Sequence, residues 1–308
     1  MKNSSPVLLA LVGPTAVGKT AVAVEIARVL DTAVISADSR QFYREMSIGT
    51  AKPTLKEQNG VTHYFVDSHS VEDNLSAGDF ERQGLALLKD LFAAYPVVVL
   101  TGGSGLFVDA LCRGLDDLPS PLPGVREKWN RFYADHGITA LGAELHKVDP
   151  VYHATVDLHN SQRLIRALEV FESTGKPFSF FRQGKLTDRP FTTVSIGLEL
   201  PREILYERIN QRVDAMMKAG LLNEVRALSK FRRLPALKTV GYAELFQYLD
   251  GQLTLEAAVD KIKQNTRRYA KRQLTWFKRN PETAWFRPND LPGILDYFRR
   301  KIGYDESR

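Results

Sequence analysis

The sequence predicts an α/β protein, in which a parallel sheet is flanked by helices and carries a small helical insertion domain. Short apolar runs rich in β-branched residues alternate with segments whose apolar residues recur at helical spacing, as in a parallel sheet with crossover helices. Three prolines at residues 116–124 indicate a linker, and only helical segments follow until a strand pattern returns at residues 192–200. We therefore expect a core of residues 1–117 and 191–308, with basic C-terminal helices, and an insertion at residues 118–190.

Composition and charge restrict the class of protein. The 308 residues are 44% apolar and 25% charged, which is enough for a hydrophobic core, and the net charge of +6 is concentrated near the C-terminus. Cys112 is the single cysteine, which excludes an intramolecular disulfide or a cysteine metal cluster and fits a reducing compartment. The N-terminal apolar run is too short for the apolar region of a secretory signal, and no stretch approaches the roughly 18 apolar residues of a membrane span. We expect a cytoplasmic protein that does not bind a membrane.

The first strand leads into a phosphate-binding loop. The apolar run at residues 7–12 precedes the pattern G-x-x-x-x-G-K-T, and a helical pattern follows at residues 21–30. Backbone N–H groups and the helix N-terminus would bind a diphosphate, while Lys19 and the Thr20 hydroxyl would reach phosphate oxygens and Mg²⁺. The predicted diphosphate-binding residues are Gly13, Pro14, Thr15, Ala16, Val17, Gly18, Lys19 and Thr20. An ordinary glycine turn is the alternative, and the loop alone does not reveal whether phosphates are transferred, hydrolysed or expelled.

The second and later strands supply further polar groups. Residues 33–37 read as a strand that ends at Asp38, so Asp38 is expected at the same sheet edge as the phosphate loop. A carboxylate there could be a general base, a Mg²⁺ ligand or a cap on the following turn. The strand at residues 96–100 ends in Thr101, where a P-loop NTPase normally has a Walker-B aspartate. Glycines and the Ser104 hydroxyl follow, which allow close backbone approach or simply form a tight turn.

The insertion is predicted to contain helices at residues 126–134, 139–148 and 161–174. Arg163 and Arg166 share one face of the last helix, where they could clamp a phosphate backbone or form local ion pairs, for example with Glu169. In the core, Arg208 and Arg212 repel each other at i,i+4 spacing, so an anionic partner explains them best. We favour diphosphate for Arg208.

The excess positive charge is concentrated at residues 261–279, which carry eight Lys and Arg residues and no acidic residue. Tyr269, Trp276 and Phe277 place aromatic rings among these cations. In a nucleic-acid interface, cations typically contact the phosphates, and nearby aromatic rings stack on unpaired bases. A basic helix with buried aromatics is the alternative.

Several motifs together resemble the tRNA dimethylallyltransferase family. They are GPTAVGKT at residues 13–20, DSRQFY at 38–43, IGTAKP at 48–53, QRLIRALEV at 162–170, VGY at 240–242 and KRQLTWF at 271–277, in order over nearly the whole chain. The resemblance implies transfer of a dimethylallyl group from dimethylallyl diphosphate to N6 of adenine 37 beside the tRNA anticodon, with release of diphosphate. The chain lacks the Cys/His zinc finger of longer eukaryotic relatives, so it looks like the shorter bacterial form.

The resemblance also implies roles for individual residues. Asp38, Ser104 and Arg208 would be catalytic, with Asp38 accepting the N6 proton, and Mg²⁺ would bind near Thr20. The implied tRNA-binding residues are Asp38, Ser39, Arg40, Gln41, Ser104, Arg126, Gln162, Arg163, Leu164, Ile165, Arg166, Lys271, Arg272, Gln273, Trp276 and Lys278. The family is expected to act as a monomer.

One departure and two alternatives accompany this interpretation. The glycine-rich segment after the fourth strand usually reads Gly-Gly-Thr with a Tyr shortly after, but here Ser104 and Phe107 stand there, which predicts altered packing and retained activity. A P-loop small-molecule kinase would share the loop, and the absent Walker-B aspartate argues against it. A nucleic-acid-binding protein with a vestigial loop is opposed by the intact Lys19 and Thr20.

Overall fold

The computed structural model describes residues 5–73, 75–182, 184 and 187–303. The core and the insertion expected from the sequence also include a few residues that lie outside these ranges. The chain forms two compact units. The larger unit comprises Met1–Arg113 and Asp188–Arg308, and the smaller comprises Gly114–Thr187. The smaller unit starts and ends a few residues earlier than the insertion expected at residues 118–190, because it begins directly after a helix that ends at Arg113.

A parallel sheet forms the centre of the larger unit, which confirms the predicted fold class. Six strands are present among the described residues: β1 (Val7–Val12), β2 (Val34–Ser36), β3 (His63–Tyr64), β4 (Val97–Gly102), β5 (Thr192–Leu198) and β6 (Ala284–Phe286). Their order is β3-β2-β4-β1-β5-β6, and every neighbouring pair is parallel. All residues of β1 are buried because a central parallel strand is covered on both faces.

Helices connect and cover the strands. In chain order they are α1 (Lys19–Val29), α2 (Leu55–Gln58), α3 (Ala77–Ala94), α4 (Gly105–Arg113), α5 (Val125–Val148), α6 (Pro150–His153), α7 (Ser161–Thr174), α8 (Phe178–Phe181), α9 (Arg202–Lys218), α10 (Leu221–Ala227), α11 (Tyr242–Leu249), α12 (Leu255–Phe277) and α13 (Leu291–Lys301). Two short 3₁₀ helices lie at Ser229–Phe231 and Pro235–Leu237. Within the described residues, no helix combines the length and apolarity that crossing a bilayer requires.

Alternate residues of β1 contribute to two hydrophobic clusters, one on each face of the sheet. Leu9 and Leu11 pack in a cluster with Ile26 of α1, whereas Leu8 and Ala10 pack in a cluster with Phe80 of α3. This division follows from the two-residue period of a strand. The sheet is thereby fixed between helices, and the loops after its strands lie at one edge.

The smaller unit is helical. Its core includes Leu145, Leu164 and Leu168, contributed by α5 and α7. The helix α7 begins after the Asn160 side chain, which accepts a hydrogen bond from the Arg163 amide, so the predicted helix at residues 161–174 is confirmed. The two helices predicted at residues 126–134 and 139–148 are confirmed: they form the two parts of α5, which are separated at Gly137, where φ 78° and ψ −178° are not helical.

Candidate active site

The phosphate loop (residues 13–20) connects the end of β1 to the start of α1. Gly13 has φ 150°, and a Cβ there would lie 2.6 Å from the carbonyl oxygen of Leu198. Gly18 has φ 109° and precedes the first residue of α1. No acidic side chain occupies the first turn of α1 and no side chain caps it. Its first amides therefore remain available to an anion.

A cleft of about 530 Å³ opens beside this loop. Lys19 and Thr20 line it, together with Asp38 from the end of β2 and Arg212 from α9. The fold thus brings together the phosphate-binding residues and the carboxylate that the sequence assigned to the same sheet edge. The cleft combines groups that can bind an anion with a group that can accept a proton.

Lys19 is held inside the cleft. Its Nζ donates to the carbonyl oxygens of Gly13, at 3.0 Å, and Pro14, at 2.8 Å. Burial lowers the pKa of Lys19 to about 8, the nearby charge of Asp38 opposes that shift, and Arg212 reinforces it. A diphosphate in the cleft would supply the negative charge that favours the protonated amine.

Two arginines of α9 lie at the cleft. Arg208 donates from Nη1 to the carbonyl oxygen of Val17 at 3.4 Å, so it reaches the phosphate loop as expected. Arg212 lines the cleft directly, and burial lowers its pKa against the opposing charges of Asp38 and Glu57. Among the described contacts Arg212 has no hydrogen-bond or ion-pair partner. Sequence reasoning did not select Arg212 as a site residue, although its i,i+4 spacing from Arg208 was the available signal.

The loops after β2 and β4 meet at Asp38. The Ser104 amide donates to the carbonyl oxygen of Ala37 at 3.2 Å, and the Ser39 amide donates to Ser104 Oγ at 3.0 Å. Asp38 Oδ1 accepts the Arg40 amide at 3.2 Å, so Asp38 caps its turn while also lining the cleft. The capping alternative is therefore compatible with a chemical role, because the second carboxylate oxygen makes no described hydrogen bond.

A second cavity, of about 190 Å³, adjoins the cleft and shares Asp38 and Arg212 with it. Its walls include Ile209, Val213 and Tyr269. Burial raises the pKa of Tyr269 to about 12, so its phenol stays protonated at neutral pH. The second cavity therefore offers apolar and aromatic surface next to the carboxylate of Asp38.

The segment at residues 47–53, called the 47–53 loop here, lies at both cavities. Gly49 and Thr50 line the second cavity, and Ala51 lines the cleft. The carboxylate of Glu224 accepts the amides of residues 47, 48 and 49 at 2.8–3.0 Å, and the Tyr242 hydroxyl donates to it at 2.6 Å. Glu224 was not found from the sequence, where no local pattern connects it to this loop.

The basic run on and after α12 is partly paired. Lys263 forms an ion pair with Asp214 at 2.7 Å, and Lys278 forms one with Glu199 at 2.8 Å. Arg268, Lys271 and Arg272 are exposed and have no ion-pair partner among the described residues. Acidic residues of other elements therefore neutralise only part of the excess charge expected from the sequence.

Two residues of this run that were expected to contact tRNA make contacts within the protein. Gln273 is buried, and its side-chain amide accepts a hydrogen bond from the Thr15 amide and donates one to the carbonyl oxygen of Gly103. The indole N–H of Trp276 donates to Asp109 at 2.8 Å, and the guanidinium of Arg279 lies 3.8 Å from the Trp276 ring centroid. The Gln273 side chain is thus unavailable to a partner in this conformation, because the helix turns it towards the sheet.

In the smaller unit, the predicted tRNA-binding residues of α7 divide by helix face. Leu164 and Ile165 are completely buried in the core, so the expectation that their side chains contact tRNA is corrected. Arg126 and Arg166 both pair with the buried carboxylate of Glu169, at 3.3 and 3.7 Å. Burial raises the pKa of Glu169, and both arginines oppose that rise. The remaining predicted residues, Gln162 and Arg163, lie on the exposed face of α7.

The donors in the cleft fit Mg²⁺. No group of three or more His, Cys, Asp or Glu side chains that could hold a metal occurs in the described part of the chain. The Thr20 hydroxyl and the Asp38 carboxylate line the cleft as oxygen donors. Mg²⁺ commonly binds one or two such groups together with substrate phosphates and water, so a full protein cage is not required.

Comparisons with known proteins agree with the motifs. The IPP transferase family model matches residues 41–280. The curated tRNA dimethylallyltransferase of Cytophaga hutchinsonii is 49% identical over 295 residues, which cover 96% of this chain and 97% of that protein. The crystal structure of the full-length tRNA isopentenylpyrophosphate transferase from Bacillus halodurans is 38% identical, with a TM-score of 0.71 and 96% coverage of both chains.

A eukaryotic dimethylallyltransferase, described in its crystal structures as acting on tRNA, gives a TM-score of 0.79 over 99% of this chain and 81% of that chain. At 22% identity that likeness shows the shared fold alone. The kinase and binding-protein alternatives have no support in these matches. Since the family model covers most of the chain and the curated relative is similar over nearly its whole length, this chain belongs to the IPP transferase family.

Proposed function

We propose that this protein transfers a dimethylallyl group from dimethylallyl diphosphate to N6 of adenine 37 in tRNA and releases diphosphate. One observation carries the proposal: an anion-binding loop and a carboxylate share a cleft, while Thr101 near the end of β4 stands where a P-loop NTPase has a Walker-B aspartate. The Thr101 hydroxyl donates to the carbonyl oxygen of Leu11 at 3.2 Å, which makes it part of the sheet edge. The site is suited to hold a leaving group.

The phosphate loop, Lys19, Arg208 and Arg212 bind the diphosphate and stabilise its developing charge. The bond between the allylic carbon and the diphosphate oxygen breaks, and its electron pair stays on that oxygen. Cationic groups already positioned at the oxygen stabilise this change without reorganisation, which is the main source of catalysis in such reactions. Mg²⁺ held at Thr20 would add further neutralisation of the diphosphate.

Asp38 serves as the base. As the bond forms between N6 of adenine and the allylic carbon, nitrogen becomes positively charged, and its proton moves to the Asp38 carboxylate. The turn that contains the Arg40 amide and the Ser104 hydroxyl network fixes the position of this carboxylate. The second cavity offers apolar walls to the two reacting groups, the dimethylallyl chain and the adenine.

The tRNA is bound by cations and by polar groups of the Asp38 turn. In the larger unit the cations are the exposed Lys271, Arg272 and Lys278, and in the smaller unit they are the exposed Arg126 and Arg163 and the partly exposed Arg166. Phosphate contacts of this kind position the anticodon loop, whose adenine needs only a few kcal/mol to leave its stack. We further propose that the protein acts as a monomer in the cytoplasm, where unmodified tRNA is present.

The test of the base is Asp38→Ala, with dimethylallyl diphosphate, Mg²⁺ and unmodified tRNA as substrates. Modified nucleosides are measured by mass spectrometry after digestion, and tRNA binding is measured by filter retention. The variant is expected to bind tRNA and to form no dimethylallyladenosine. Modification at the wild-type rate would show that another group accepts the proton.

A further inference from the structure

The Gln273 side chain connects two loops that are far from it in sequence. Its Oε1 accepts the Thr15 amide at 2.8 Å, and its Nε2 donates to the carbonyl oxygen of Gly103 at 2.8 Å. Thr15 belongs to the phosphate loop, whereas Gly103 follows β4. Only 5% of Gln273 is exposed, so both bonds form away from bulk water. One amide therefore joins helix α12, the phosphate loop and the segment after β4.

The contact requires the small residue at Gly103. A Cβ at that position would lie 2.3 Å from Gln273 Nε2 and 3.7 Å from Lys19 Nζ. The same segment meets Trp276, because a Cβ on Gly105 would lie 2.3 Å from Cδ1 of that ring. The absence of side chains at these glycines thus permits α12 to approach the cleft, which gives the glycine-rich sequence a structural reason.

The first half of the phosphate loop has few other attachments. Pro14 has no N–H group, and its carbonyl oxygen accepts from Lys19 and, at 3.4 Å, from the Val17 amide. The next residue after Thr15, Ala16, has φ 65°, a left-handed conformation that is energetically unfavourable for a residue other than glycine. Such a conformation persists only when neighbouring contacts hold it.

We propose that Gln273 is a positioning residue that holds the Thr15–Ala16 segment of the phosphate loop in the conformation that binds the leaving diphosphate. Because the Thr15 amide already donates its hydrogen bond to Gln273, the diphosphate is bound by later amides of the loop. This inference rests on the proposed function and replaces direct tRNA contact as the role of Gln273. It also predicts that diphosphate binding requires the hydrogen bonds of the Gln273 side-chain amide, and that a side chain of the same volume without them does not suffice.

The test replaces Gln273 by methionine, which has similar volume and makes neither hydrogen bond. The matched control is Gln264→Met on the exposed face of the same helix, and thermal unfolding verifies that both variants fold. Binding of inorganic diphosphate with Mg²⁺ is measured by calorimetry, tRNA binding by filter retention, and turnover with dimethylallyl diphosphate by product analysis. Diphosphate binding does not depend on the assigned reaction.

In Gln273→Met we expect the dissociation constant for inorganic diphosphate and KM for dimethylallyl diphosphate to rise about tenfold or more, while tRNA binding changes less than about twofold. Gln264→Met should resemble the wild type. Gly103→Ala perturbs the same contact from the other side, by displacing the Gln273 amide, and should reproduce the pattern if Gln273→Met does not fold.

Unchanged diphosphate binding in both variants at Gln273 and Gly103 would overturn the inference. So would a loss confined to tRNA binding, since that result would return Gln273 to the tRNA interface. A wild-type protein that binds diphosphate but forms no dimethylallyladenosine would contradict the proposed function and leave the positioning role of Gln273 testable.

Discussion

Replacing Glu224 by alanine should loosen the 47–53 loop. The Glu224 carboxylate accepts four hydrogen bonds, from the Ser47, Ile48 and Gly49 amides and from the Tyr242 hydroxyl. Gly49 packs closely on Tyr242, since a Cβ on Gly49 would lie 2.5 Å from its ring. Because Gly49 lines the second cavity, this carboxylate connects the stability of the loop to the shape of the site.

The magnitude follows from the four bonds. A hydrogen bond to a charged group contributes about 1.5–3 kcal/mol when it is not replaced by water, and the sum is an upper bound because water can reach the partly exposed amides of the loop. We expect Glu224→Ala to lower the free energy of unfolding by about 2–4 kcal/mol. Tyr242→Phe removes one of the bonds and should cost about 1–2 kcal/mol.

Urea denaturation measures this loss, and initial rates with dimethylallyl diphosphate and tRNA measure its effect on the reaction. Turnover should fall at least about tenfold, because a displacement of about 1 Å at a reacting group can reduce a rate by about a hundredfold. Glu282→Ala is the control, since its exposed carboxylate has no described hydrogen bond or ion pair. Equal unfolding midpoints for Glu224→Ala, Glu282→Ala and wild type would refute the reasoning.

The other predictions concern the two arginine clusters. Arg212→Met should weaken binding of inorganic diphosphate by about tenfold or more and leave tRNA binding unchanged, because Arg212 lies inside the cleft. Calorimetry measures diphosphate binding and filter retention measures tRNA binding. A diphosphate affinity equal to that of the wild type would contradict the role of Arg212. Glu169→Gln removes the buried charge that pairs with Arg126 and Arg166. It should weaken tRNA binding several-fold and change its salt dependence, measured by filter retention from low to high salt, whereas unchanged binding would show that the arginines are positioned without Glu169.

Local sequence patterns predicted the parts of the fold that depend on local interactions. The strand at residues 7–12, the loop that follows it and helix α7 each have a pattern of burial, glycine conformation or capping that lies within a few residues. The placement of Asp38 at the same edge as the loop followed from the geometry of parallel strands. These features therefore could be read without a structure.

Contacts between distant segments could not be read in this way. Gln273 lies 258 residues from Thr15, and Glu224 lies 175 residues from Gly49, so no spacing rule relates them. The basic pattern near Gln273 indicated an exposed surface, but helical geometry turned that residue inward while Lys271 and Arg272 stayed outside. A run of cations thus predicts an interface without revealing which of its polar residues support the fold.

In the proposed reaction, the phosphate loop binds the diphosphate that leaves a prenyl donor. The most direct test incubates the wild-type protein with Mg²⁺, dimethylallyl diphosphate and either of two unmodified tRNAs, which carry adenine or guanine at position 37. Released diphosphate and dimethylallyladenosine are then both counted. We predict one diphosphate per modified adenosine with the first tRNA, and neither product with the second. Release of diphosphate without modified adenosine, or consumption of ATP in its place, would contradict the account.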